Sequence, residues 1–212
     1  ENLNISGEYL VNITGSAGLD ITFRNSKFRN NNVDINGSLS VFLNWGYGDL
    51  KFDGTVIENN TITKSDTDKL QGILYYVSSS GEVVNTVLKN NTVSASQVQS
   101  SGLFVYQQDL DVKGSQFIGN KSIGSNSKLT DGVMYVENQS AETKTVTVSD
   151  TLFEGNSAEN TVDASMARGG ALAVVKRVKS GETRGAGVEV VLNDATFTNN
   201  TAGKGGAIYV GG

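Results

Sequence analysis

Phe117-Ile118-Gly119-Asn120 and Phe153-Glu154-Gly155-Asn156 are two copies of a phrase that occurs six times in this chain. The others are Phe28-Arg29-Asn30-Asn31, Ile57-Glu58-Asn59-Asn60, Leu88-Lys89-Asn90-Asn91 and Phe197-Thr198-Asn199-Asn200. Each has a large apolar residue followed three places later by Asn, and the first four copies are 29, 31 and 29 residues apart. A fixed period of this length marks a stacked repeat architecture. Before each phrase runs a period-2 apolar stretch, such as Leu50 and Phe52, Leu110 and Val112, or Val188, Val190 and Leu192. After it comes a strand opened by Gly, as in Gly72-Ile-Leu-Tyr-Tyr-Val77, Gly102-Leu-Phe-Val-Tyr106 and Gly132-Val-Met-Tyr-Val136. Alternation of this kind reads as strand with one buried face, and no 3.6-residue pattern competes.

Short strands without helices bury their apolar faces by coiling, with coils stacked about 4.8 Å apart in parallel register. The expected fold is therefore all-β: a right-handed parallel β-helix of about six coils plus an incomplete N-terminal one, the hand following the usual crossover rule. Residues 1–212 read as one β-helix domain, a fragment of a longer protein, because the sequence opens directly on a strand-like pattern and stops at Gly211-Gly212. Stacking turns repeated positions into columns. Phe28, Ile57, Leu88, Phe117, Phe153 and Phe197 are expected to form an interior apolar column. Asn31, Asn60, Asn91, Asn120, Asn156 and Asn200 are expected to line a bend, where Asn tolerates left-handed angles and stacked amides bond along the axis. Gly170 and Gly206 are expected where backbone crowds backbone or takes positive φ.

Composition narrows the chemistry. There are no Cys, His or Pro among 212 residues. That removes disulfides, thiolate metal sites, a catalytic thiol and the usual general base. Absent Pro fits a chain committed to continuous β-ladders. A net charge of −5 without any basic run argues against a nucleic-acid partner. No apolar stretch approaches the roughly 18 residues of a membrane span, so this segment is not expected to enter a membrane itself.

The interval between the ladder Asn and the next Gly is where the copies differ. It holds five residues at 32–36 and 201–205, but 11 at 61–71, 10 at 92–101, 11 at 121–131 and 13 at 157–169. Insertions at one repeat position are expected to project from one side and stack, which is often the binding face of a solenoid. The candidate binding residues there are Lys64, Asp66, Asp68, Lys69, Gln97, Gln99, Lys128, Asp131 and Arg168. A second protrusion at 176–185 carries four of the 17 basic residues.

Gly169-Gly-Ala-Leu172 and Gly205-Gly-Ala-Ile208, alternating with Phe-x-x-Asn, resemble the paired motifs of the chlamydial polymorphic outer-membrane proteins. Related repeats occur in other autotransporter passengers. The resemblance implies a secreted or surface-anchored adhesin, exported through an outer-membrane barrel outside this fragment. The expected partner is a protein or glycan on host or neighbouring cells, and self-association is expected where exposed coil ends pair. No catalytic residue, metal or cofactor is expected.

An enzyme is the competing reading, because parallel β-helices also serve as lyases and glycosidases. Asp109/Asp111 and Asp66/Asp68 are candidate carboxylate pairs by proximity alone, and solvated surface acids explain both. Arg168 near Asp163 lacks a second carboxylate pair for a calcium-dependent lyase site. A structural spacer is a further alternative. Asn-x-Ser/Thr triplets at Asn4, Asn12, Asn36, Asn59, Asn90, Asn120, Asn138 and Asn199 are read as a by-product of repeat composition.

Overall fold

The computed structural model describes residues 3–7, 11–14, 20–35, 40–45, 48–65, 69–77, 81–177 and 187–211. It is a parallel β-helix, as the period requires. One coil shows the plan. Leu50–Asp53 lies on face I, Val56–Glu58 on face II, Thr61–Thr63 on face III and Gly72–Val77 on face IV. Among the described residues the four faces hold six, six, six and seven strands, all paired in parallel with the same face of the adjacent coils. Face III is a strand the sequence reading had assigned to the variable interval. It contributes one or two inward side chains per coil, such as Ile62 or Val93, too few to display alternation.

The apolar column forms as expected. Phe28, Ile57, Leu88, Phe117, Phe153 and Phe197 are direct register partners. The last three rings stack at 4.8 Å, within 6° of parallel. That separation is the coil spacing itself, so offset stacking comes with the fold.

The Asn column forms too, and its bonding is complete. The Asn120 Oδ1 accepts the main-chain N–H of Asn91 at 3.1 Å and its Nδ2–H at 2.9 Å. The Asn120 Nδ2 donates to the Leu88 carbonyl at 2.8 Å and to Asn156 Oδ1 at 3.0 Å. Two donors and two lone pairs are thus all used. The pattern repeats down the stack, from Asn31 donating to Asn60 through to Asn156 donating to Asn200.

The left-handed residue of this bend is, however, the one before the ladder Asn. Asn30, Asn59, Asn90, Gly119, Gly155 and Asn199 have φ between 53° and 63°. Each turns the chain so that the following Asn points inward. A second left-handed column, Asn25, Gly54, Asn85, Gly114, Asp150 and Asp194, makes the corner between faces I and II. Directly after it come buried hydroxyls, Thr55, Thr86, Ser115 and Thr151. They bond between coils, as in Thr86 N–H to Ser115 Oγ at 3.1 Å and Ser115 Oγ–H to the Val83 carbonyl at 3.1 Å. Neither column was recognised from the sequence.

The Gly-Gly pair opening face IV has two separate causes. Gly169 and Gly205 take φ of 52° and 58°. A Cβ on Gly170 would lie 2.3 Å from the Thr201 carbonyl oxygen, which no side chain tolerates. Gly206 departs from the expectation: it occupies the same position one coil on, but its φ is not left-handed and the nearest neighbour to a Cβ is the Asn200 carbonyl at an ordinary 3.4 Å.

Candidate functional site

The insertions do not stand off the solenoid as free loops along their whole length. Their C-terminal parts lie along it as a ledge between faces III and IV. Lys69–Leu70 pairs in parallel with Gln97–Val98, and Thr130–Asp131 with Ala167–Arg168. Leu70 and Val98 pack in the core, and Thr130 and Ala167 are buried. Lys64, Gln99, Asp131 and Arg168 are buried as well, so four of the candidate binding residues are part of the wall. Lys69 and Lys128 are exposed and Gln97 is half-buried. Asp66 and Asp68 lie outside the described residues.

What the ledge does bring together is Asp131 and Arg168. The guanidinium Nε and Nη2 donate to the two carboxylate oxygens at 2.8 and 2.9 Å, a fork-to-fork pair. Burial pushes the Asp131 carboxyl up to about 6, against the pull of these bonds. Burial also works to lower the Arg168 guanidinium, which Asp131 nonetheless holds above its ordinary value. Because a guanidinium keeps its proton throughout this range, Asp131 is the partner sensitive to acid. Arg168 was expected near Asp163; instead Asp163 Oδ1 accepts the Ser165 N–H at 2.8 Å.

Arg168 also lies 4.8 Å above the Tyr209 ring, on the outer side of face IV. Tyr75, Phe104, Tyr135, Ala173 and Tyr209 share one register position there. Tyr75 and Phe104 stack with centroids 5.0 Å apart, and Tyr135 lies 5.0 Å from Phe104 with its ring tilted by 49°. Beside them the Tyr135 hydroxyl donates to the buried Glu137 at 2.5 Å, with Arg177 Nε 3.4 Å from the same carboxylate. Burial raises the Tyr75 hydroxyl to about 12. This outer core was missed in the sequence because Gly-Ile-Leu-Tyr-Tyr-Val is apolar without alternation. Such a run signals a strand covered on both faces.

A concavity lies elsewhere, on the outer side of face I. It is a cavity of about 450 Å³ lined by Asp20, Thr22, Asp49, Lys51, Glu82 and Asp111, with Asp109 and Leu110. A second hollow of about 320 Å³ adjoins it, sharing Glu82 and Asp111 and reaching Lys113, Thr147 and Ser149. Outward positions of successive coils supply these groups: Lys51, Glu82, Asp111 and Thr147 form one column. Lys51 bonds Glu82 at 2.5 Å. Asp109 Oδ1 accepts the Thr145 N–H at 2.7 Å, with Lys144 Nζ 3.7 Å from its other oxygen. Asp109 and Asp111 therefore share a groove wall, but both are exposed and Asp109 is occupied in fixing the next coil. The groove offers carboxylates, hydroxyls and two lysines at coil spacing, a surface for hydrogen-bonding and ion-pairing with an extended polar partner. No group of three or more carboxylates able to hold a metal ion is present among the described residues.

Residues 194–211 match the model of the Chlamydia polymorphic membrane protein (Chlamydia_PMP) repeat. The matched stretch contains the last apolar–Asn phrase, both glycines at 205 and 206, and the final face IV strand. No curated protein matches the chain.

Proposed function

We propose that this chain is a length of a surface-exposed, autotransporter-type passenger, and that it acts in adhesion without catalysing a reaction. The repeat match at its C-terminal coil and the parallel β-helix both support a passenger at the cell surface. The observation that carries the adhesive role is the groove on face I, whose polar side chains come from consecutive coils held in fixed register. A scaffold of this kind presents a long recognition surface at little entropic cost on binding. Its partner is a protein or glycan on a host or neighbouring cell. The exposure of Asp109 and Asp111 favours binding over acid–base chemistry, which draws on carboxyls tuned by burial and neighbours.

The test is a screen of this segment against cell-surface proteins and glycans, repeated with Glu82→Lys and Asp111→Lys together. Loss of binding of tenfold or more, with an unchanged far-UV spectrum, is the expected result. Binding to nothing in the screen would favour the spacer role, which the unbroken internal ladders also suit. Glycan cleavage abolished by Asp111→Asn would instead make the groove an active site.

A further inference from the structure

Within the phrase, two residues of opposite fate sit side by side. In Asn59-Asn60-Thr61 the middle Asn is the buried ladder residue, while Asn59 and Thr61 are exposed on either side of it. The backbone alternates here, so the first and third residues share the outward side. Asn90-Asn91-Thr92 and Asn199-Asn200-Thr201 are set out alike, with Asn90, Asn199 and Thr201 exposed and Thr92 half-buried. The triplet Asn120-Lys121-Ser122 is one residue out of phase, so Asn120 and Ser122 both point inward and are fully buried. Asn138 is also buried, its Nδ2 donating to the carbonyls of Glu142 and Gly187 at 2.9 Å each. At the exposed corners the amides make long bonds between coils, Asn59 to Asn30 at 3.3 Å and Asn90 to Asn59 at 3.4 Å. The fold requires left-handed φ at this corner but not Asn, since Gly119 and Gly155 serve equally. It also requires no hydroxyl two residues later, where Asn32 and Lys121 stand in other coils.

We propose that Asn59, Asn90 and Asn199 are acceptor sites for asparagine-linked glycosylation of the folded chain. The co-reactant is a nucleotide-activated sugar. The amide Nδ2 forms a bond to sugar C1 as the C1–O bond to the nucleoside diphosphate breaks, and the amide proton passes to a base of the transferase. Asn59 and Asn90 occupy adjacent coils, about 4.8 Å apart, so a sugar on one hinders the other. Asn199 follows two glycine corners and is unhindered.

Peptide mapping by mass spectrometry tests this on two preparations: protein from the cells that make it, and folded unmodified protein treated with a soluble asparagine glycosyltransferase and UDP-glucose. The expected result in both is hexose on Asn199 and on one or both of Asn59 and Asn90, with Asn120 and Asn138 unmodified. Thr61→Ala should remove the sugar from residue 59 alone. Gly155→Asn, which completes a triplet with Ser157 at an open corner, should gain one. Absence of hexose from all three residues in either preparation overturns the proposal, as does modification of Asn120 in the folded protein to the same extent as Asn59.

Discussion

Asn120 has no spare hydrogen-bonding capacity, and neither do the atoms it serves. Asn120→Leu would keep the volume but strand the main-chain N–H and one amide hydrogen of Asn91, the Leu88 carbonyl and half of Asn156 Oδ1. Each buried orphan costs about 1–3 kcal/mol, so the substitution should destabilise by at least about 4 kcal/mol in urea unfolding. Full stability would mean the column is dispensable. Arg168 makes a second residue-scale case. Its guanidinium lies 4.8 Å over the Tyr209 ring, next in the outer column after Ala173, and pairs with Asp131 on one edge. A lysine ammonium supplies neither the fork nor the flat face. Arg168→Lys is expected to cost about 2 kcal/mol, and Arg168→Ala about 3–5 kcal/mol because Asp131 is then buried unpaired. An Arg168→Lys variant as stable as the native chain would show that the charge alone matters, and equal losses in the two variants would show that the charge contributes nothing. The pair was invisible in the sequence: its partners are 37 residues apart across insertions of unequal length, and only the fold reveals which ledge residues meet.

At the scale of the element, the corner between faces II and III decides how the phrase works. A left-handed residue there is tolerated as Asn or Gly, and the chain uses both. Nothing lies within 4 Å of a Cβ built on Gly155. Gly155→Asn should therefore leave the melting temperature nearly unchanged, whereas Gly155→Val should cost about 1–2 kcal/mol from backbone strain alone. If Val were tolerated as well as Asn, the corner would not be held left-handed in solution. The apolar and Asn columns were legible beforehand because period and residue type coincide in every copy. The left-handed position was misplaced by one residue because the phrase offers two adjacent Asn in four of six copies. Only Gly119 and Gly155 hint at which of the two carries the turn. Face III stayed hidden because Ser122 and Ala158 stand where Ile62 and Val93 point inward elsewhere.

Across the whole molecule, each coil touches only its neighbours, so stability is a sum of coil and interface terms. The ladders make those interfaces unequal. Asn120 bonds to coils on both sides, while Asn200 accepts from Asn156 and donates to the Phe153 carbonyl but, among the described residues, donates to no following Asn. The core around it is also more open, with Leu192 40%, Ile208 36% and Val210 74% exposed. In the isolated segment 1–212 water can replace the bonds that Asn200→Leu would remove, so that variant of the segment should lose about 1 kcal/mol, well short of the loss in the Asn120 variant. The same asymmetry should be written into native-state hydrogen exchange. Amides of the coils containing Leu88 and Phe117 should exchange slowest, and protection should fall steadily toward the strand Ile208–Gly211 in this chain. A flat protection profile would mean that the stack opens all at once, with lateral bonding so strong that no single coil leaves alone. That outcome would also remove the reason for Asn200→Leu to be milder than Asn120→Leu, so the two experiments check one another.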